Sequence, residues 1–116
     1  MSDIVLRSED INLKEHKRIS KNTGNITYDM HLVDDEDTKM MVKQMIYPKG
    51  VFTPWHVHDC AHGMYVLNGT LHTNLGDFDK GSFIWYKEGS KGFHGSKDED
   101  VEVLFITNKE FNIKYL

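Results

Sequence analysis

The residues of this chain best placed to do chemistry lie in the stretch Trp55-His56-Val57-His58-Asp59-Cys60-Ala61-His62. Side chains two apart on a β-strand point to the same face, so His56 and His58 can converge on one point while Val57 faces the other way. Three residues of turn then let His62 re-enter from the start of the next strand. Neutral imidazole suits Zn, Fe, Ni and Cu, so the spacing reads as a site for a divalent transition metal of intermediate softness rather than a Ca or Mg cage. The plainer alternative is a surface hairpin that happens to carry histidines, yet imidazoles packed this closely have little use in a purely structural strand pair. Cys60 sits in the turn, where geometry aims it outward or into loop packing, so ligation is assigned to the histidines.

The elements that must position these residues read as short strands. Residues 1–27 lack sustained periodicity and are expected to form an N-terminal arm or edge strand, with Ile4, Val5 and Leu6 as the strand candidate and a brief helical turn from Ser8. Residues 28–116 then form a single domain. Strands are expected over 28–33, 39–47, 51–58, 62–67, 70–75, 82–86, 101–107 and 111–116. In the second of these Met41, Lys43 and Met45 share one face, and Met40, Val42, Gln44 and Ile46 the other. Pro48-Lys49-Gly50 marks a turn, Asn68-Gly69 favours a type I′ hairpin, Gly76-Asp77 marks another turn, and the glycine-bearing stretch 87–95 reads as a loop. Many short strands with glycine-marked turns and no long helical pattern predict an all-β sandwich or barrel.

Composition narrows the function classes. A chain of 116 residues is the size of one domain and buries roughly two-thirds of its unfolded surface. The single Cys60 cannot form an intramolecular disulfide, and no signal-peptide pattern opens the chain, so a cytoplasmic protein is expected. No apolar run reaches the roughly eighteen residues of a membrane span. The net charge of -4 argues against nucleic acid, which needs a concentrated basic surface. Lys14, Lys17, Arg18 and Lys21 cluster, but interleaved Glu15 and a turn-like Asn22-Thr23-Gly24-Asn25 make them a solvated face. His16, His31 and His72 receive no function, with His72 expected to face solvent.

At these residues the chain resembles the cupins, small jelly-roll β-barrels that hold a metal inside the barrel. The first cupin motif reads G-x5-H-x-H-x3,4-E-x6-G; Gly50, His56, His58 and Gly69 fall in place, and His62 stands where the glutamate is usual. The second reads G-x5-P-x-G-x2-H-x3-N; Gly81 and Gly89 match, Lys87 replaces the proline, and the histidine is displaced from Gly92 to His94. The resemblance covers about residues 39 to 107. It implies an all-β jelly-roll barrel binding one Fe, Zn, Ni or Mn ion per chain through His56, His58, His62 and His94. A loop two residues longer can still deliver His94 to the metal, because loop length costs little beside a ligand bond.

Exchanging glutamate for His62 removes a negative charge next to the ion, which should favour an anionic, chelating ligand. If His62 faces inward, alternation puts Met64 and Val66 beside it. The resemblance adds Phe83, Trp85, Val103 and Phe105 as lining residues, and Trp55 either shields the metal or packs at the barrel mouth. The expected function is a small-molecule enzyme, led by a histidine-ligated Fe(II) dioxygenase acting on a chelating oxygenated substrate. The alternatives are a Zn- or Ni-bound isomerase or cyclase, or a non-catalytic metal- or ligand-sensing cupin. Outward-facing Tyr65 and Leu67 and the apolar last strand point to a homodimer.

Overall fold

The computed structural model describes residues 2–108 and 112–116. Two antiparallel sheets face each other. The strands are β1 (Lys17–Ile19), β2 (Ile26–Asp34), β3 (Met41–Tyr47), β4 (Phe52–His58), β5 (His62–Asn68), β6 (Thr70–Thr73), β7 (Gly76–Asp79), β8 (Phe83–Tyr86), β9 (Lys91–Gly95), β10 (Val101–Thr107) and β11 (Ile113–Tyr115). One sheet has the order β1-β2-β3-β10-β5-β8, the other β11-β4-β9-β6-β7. The protein is thus all-β, as its strand pattern predicts.

Period-two alternation builds the interior. On β10, Val101, Val103, Phe105 and Thr107 are buried and the residues between them are not, while Lys43, Met45 and Tyr47 are the buried positions of β3. The ladder places Val103 opposite Met45 and Val66, and Phe105 opposite Lys43 and Met64. Met64, Val66, Val103 and Phe105 therefore belong to one apolar cluster with Met45, Tyr47, Leu71, Ile84, Tyr86 and Val101. Burying such side chains stabilises a fold by roughly 1.5–3 kcal/mol each.

Several expectations are corrected. Ile4, Val5 and Leu6 are exposed and lie in no strand; the edge strand of the N-terminal region is β1, which pairs Lys17 to Ile19 against Tyr28 to Ile26. A short 3-10 turn does begin at Ser8. Asn68-Gly69 closes no hairpin, because β5 already pairs with β10 on one side and β8 on the other. Having no free edge to return to, the chain crosses at Gly69 into the opposite sheet. Gly69 has φ 78° and a side chain there would run into the Asp100 carbonyl, so the corner requires glycine.

The stretch 87–95 is not all loop, since β9 occupies its second half between β4 and β6. Its glycines hide the alternation, and its partners impose the strand. Gly76-Asp77 opens β7 rather than forming a turn, because the two-residue turn of that hairpin falls on Asn74-Leu75. Phe111, expected to start the last strand, lies outside the described residues.

Phe83, Trp85 and Trp55 do not line the barrel. Register sets the parity: His62 pairs with Tyr86 and Met64 with Ile84, so with His62 and Met64 inward it is Ile84 and Tyr86 that point in. Phe83 and Trp85 are 53% and 51% exposed on the outer face, where their rings lie over Gly63. Trp55, 49% exposed, precedes inward His56 and so faces out, packing edge-on against Phe93 with ring centres 5.2 Å apart.

Candidate metal centre

Strand β4 supplies His56 and His58, both buried on one face as their spacing requires. Strand β9 lies alongside, with Thr53 opposite His94 and His56 opposite Gly92. A bulge in β4 between Thr53 and His56 shifts the register, and the displaced His94 of the second motif enters the same space. One ring nitrogen from each of His56, His58 and His94 lies within 4.8 Å of the others. The loop after β8 is tied to the site by the Gly89 amide, which donates to the His58 carbonyl at 3.0 Å.

His62 is buried too, at the start of β5, with its ring centre 4.1 Å from that of His58 and 5.9 Å from that of His94. It stands outside the convergent trio, stacked between Tyr86 at 5.1 Å and Phe105 at 5.0 Å. The turn before it is held by Thr107, whose hydroxyl donates to the Ala61 carbonyl at 2.7 Å. Cys60 is fully buried, and its sulfur is not in the trio's group of donor atoms. His72 lies on the opposite face of β6 from buried Leu71 and Thr73, with Nδ1 2.6 Å from the Asp77 carboxylate.

The hydrogen bonds set the ring tautomers. His56 Nδ1 lies 2.7 Å from the Pro54 carbonyl; a carbonyl only accepts, so Nδ1 carries the proton and the Nε2 lone pair is left for a ligand. His94 Nδ1 lies 2.9 Å from the Tyr47 hydroxyl, while buried His94 Nε2 has no hydrogen-bond partner in the protein. An orphaned polar atom at this depth costs about 1–3 kcal/mol, and a metal at Nε2 would remove that cost. The Tyr47 hydroxyl orients the His94 ring from behind. Burial pushes the Tyr47 phenol up, which keeps its hydrogen. This is the outer-shell support that metal-ligating histidines require.

Burial also keeps the imidazoles neutral. It lowers the pKa of His58 to about 2, aided by the positive charges that His62, His56 and Lys43 would present. It lowers that of His62 to about 4. The Cys60 backbone pulls the other way, but neither nitrogen of His62 makes a hydrogen bond of proper geometry. His56 is lowered by burial against the opposing Pro54 bond, and His94 is lowered well below its ordinary value by burial and then by the neighbouring histidines. At neutral pH the cluster therefore offers lone pairs, the state a divalent ion needs.

Sequence reasoning missed two groups. Lys43 is buried on the inner face of β3, its Nζ 3.3 Å from Asp29 and 5.2 Å from the centre of the Phe105 ring. Asp29 also lies 3.8 Å from Arg18, which stays solvent-exposed as expected of its basic face while pairing with that buried carboxylate. Tyr47 was legible only as a strand residue. The signal for Lys43 was present, since it shares a face with Met41 and Met45, but one lysine between methionines does not say which face is buried.

A two-sheet antiparallel barrel with histidines from adjacent strands converging inside it defines a cupin. The chain belongs to the ChrR cupin-like domain family, whose model matches residues 12–112. Solved structures agree on the fold. A cupin-like protein from Ralstonia eutropha JMP134 superposes with a TM-score of 0.63 at 20% identity, covering 71% of this chain and 54% of that one. The polyketide cyclase RemF from Streptomyces resistomycificus gives 0.69 at 18% identity, covering 78% and 70%. The Rhodobacter sphaeroides complex of SigE with the anti-sigma ChrR gives 0.65 at 19% identity, covering 87% and 51%. The chain thus spans about half the length of the first and third of these. At such identities the likeness is one of fold. No curated protein matches the chain in sequence. Among the described residues no helix is long and apolar enough to cross a membrane.

Proposed function

We propose that this chain is a metal-dependent cupin acting on a small, chelating, oxygenated molecule, with dioxygenase-type chemistry at a histidine-held Fe(II) as the leading reaction. His56, His58 and His94 are the core ligands, and His62 is the fourth ligand on the flank. The observation that carries the reading is that His58 and His94 line a partly open cavity of about 60 Å³, so a small ligand can reach the trio. When bound, iron supplies redox capacity and zinc, nickel or manganese supplies Lewis acidity. The protein's own contribution is orientation and exclusion of water. Pro54 and Tyr47 hold the His56 and His94 rings, Phe105 and Tyr86 cover His62, and the whole set is buried. Anaerobic loading with Fe(II), followed by oxygen uptake against β-diketones and hydroxy-ketones, tests the reading; uptake no greater than in metal-free protein would refute the oxygenase.

Membership of a family named for ChrR favours a second reading, a metal- or ligand-sensing domain that docks on a protein partner. Iron-loaded protein that holds one ion per chain yet consumes no oxygen with any substrate would shift the balance to it. The neighbouring polyketide cyclase supports the redox-inert alternative, an isomerase or cyclase with bound Zn or Ni. Both readings fit a homodimer, supported by Tyr65, Phe83 and Trp85 exposed together on the outer face of β5 and β8, where β8 is a sheet edge. Light scattering is expected to give twice the chain mass for the wild type and the single mass for Trp85→Glu. Buried Cys60, the single cysteine of the sequence, fits a reducing cytoplasm.

A further inference from the structure

The buried histidines are not held alike. His56 Nδ1 is tied to the Pro54 carbonyl and His94 Nδ1 to the Tyr47 hydroxyl, whereas neither nitrogen of His62 makes a hydrogen bond of proper geometry among the described residues. The His62 ring is placed by stacking instead, inclined by only 20° to Tyr86 with the centres 5.1 Å apart, and by 23° to Phe105 at 5.0 Å. Stacking leaves a ring free to slide in its own plane, so the place of His62 depends on what holds its neighbours.

Tyr86 is held by Asn74. The Tyr86 hydroxyl donates to Asn74 Oδ1 at 2.8 Å, with the Phe93 carbonyl a more distant acceptor at 3.5 Å. Tyr86 stands on β8 of the six-stranded sheet and Asn74 in the turn between β6 and β7 of the five-stranded one, so this bond crosses from one layer to the other. Asn74 is itself fastened to β9 on both sides of Gly92. Its Oδ1, with a second lone pair, also accepts from the Phe93 amide at 3.2 Å. Its Nδ2 donates to the Lys91 carbonyl at 3.4 Å, and its own amide donates to the Phe93 carbonyl at 3.3 Å. The β6–β9 ladder pairs His72 with Gly95 and Thr73 with His94, and the Asn74 side chain extends it further along β9. A side chain at position 92, where the second motif expects its histidine, would expel this bridge: a Cβ there lies 2.7 Å from Asn74 Oδ1 and 2.9 Å from Tyr86 Cε1, both inside van der Waals contact. The bridge and a histidine displaced to 94 therefore belong together.

We propose that Asn74, acting through Tyr86, is a positioning residue that holds His62 within reach of an ion bound by His56, His58 and His94. This rests on the metal-site reading and assigns that site a support outside both sequence motifs. Because the bridge joins the ring stacked on His62 to the strand that carries His94, the flanking ligand and the trio keep one spacing although they come from different sheets.

The test loads the protein with Co(II) and reads two quantities, the dissociation constant and the visible absorption, which changes with the number and geometry of the ligands. Tyr86→Phe keeps the stacked ring and removes only the bridging hydroxyl; Asn74→Leu removes the acceptor. Each is expected to weaken cobalt binding about tenfold and to move the spectrum toward that of His62→Ala, with one ion per chain retained. A general loss of stability would weaken binding in any background, so Tyr86→Phe is also made in His62→Ala, where it should change neither spectrum nor affinity. A wild-type spectrum and affinity in Tyr86→Phe, or an equal loss with and without His62, would overturn the positioning role while leaving the metal site standing. Failure of wild type to bind cobalt would overturn the metal reading and the positioning role with it.

Discussion

The inner face of the six-stranded sheet supplies Met45, Met64, Val66, Ile84, Val101, Val103 and Phe105, whereas the inner face of the five-stranded sheet supplies His56, His58 and His94. Among the described residues Leu71 is the five-stranded sheet's one member of the apolar cluster. The first sheet is therefore a dry lid and the second the floor of a polar site. Placing one over the other gives imidazoles a low-dielectric cover without breaking the apolar core, since each sheet keeps its own kind of neighbour. Lys43, Tyr47 and His62 are the places where the lid reaches into the site.

If the division is real, damage to the two faces should separate. The largest effect is expected from His58→Ala on the floor: loss of stoichiometric metal binding, measured by metal analysis after dialysis, in a chain that still unfolds cooperatively. His62→Ala, removing only the flanking ring, should weaken the ion without abolishing one-to-one binding. Phe105→Ala on the lid should do the reverse. It is expected to lower the stability of metal-free protein by about 3–5 kcal/mol in denaturant titration while one ion per chain is retained.

Acid sharpens the comparison next. In the unfolded chain the histidines titrate near the ordinary 6.5, and in the folded protein His58 and His62 are held down at about 2 and about 4. The unfolded state therefore binds more protons below pH 6.5. Stability is fully present above that value and is lost as pH falls from it toward the folded values. At pH 5 the loss in metal-free protein should be about 2 kcal/mol for each of these two histidines, seen as a lowered Tm. A Tm flat from pH 7 to pH 5 would contradict their burial. The smallest effect is expected from Tyr47→Phe, which keeps the ring and removes the hydroxyl behind His94. Metal affinity should fall about 10- to 100-fold, with the stoichiometry and the far-ultraviolet spectrum unchanged.

Much of the site was legible along the chain because its reach is local. His56 and His58 needed only strand alternation, and His62 only a short turn, so their burial together follows from spacing. His94 was legible through the motif, although its displacement left open whether it would arrive. What spacing could not show was which histidines converge. Chain order makes His62 the natural third member, yet the bulge in β4 and the pairing of β4 with β9 bring His94 there instead.

The aromatic lining went wrong for a related reason. Phe83 and Trp85 are apolar and alternate correctly, but so do Ile84 and Tyr86, and only the pairing to β5 decides which set faces inward. Hydrophobicity cannot choose between two apolar faces of one strand. Asn68-Gly69 failed likewise, since its turn preference is local and the lack of a free edge on β5 is not.

By itself, then, the amino-acid order determined the strand period, the barrel class and the inward pairing of His56 with His58, all properties that act over a few residues. The tertiary structure alone decided the three-histidine convergence, the outward turn of Phe83 and Trp85, and the burial of Lys43 beside the site. Those depend on register between strands far apart in the chain, where a shift of one residue exchanges the two faces.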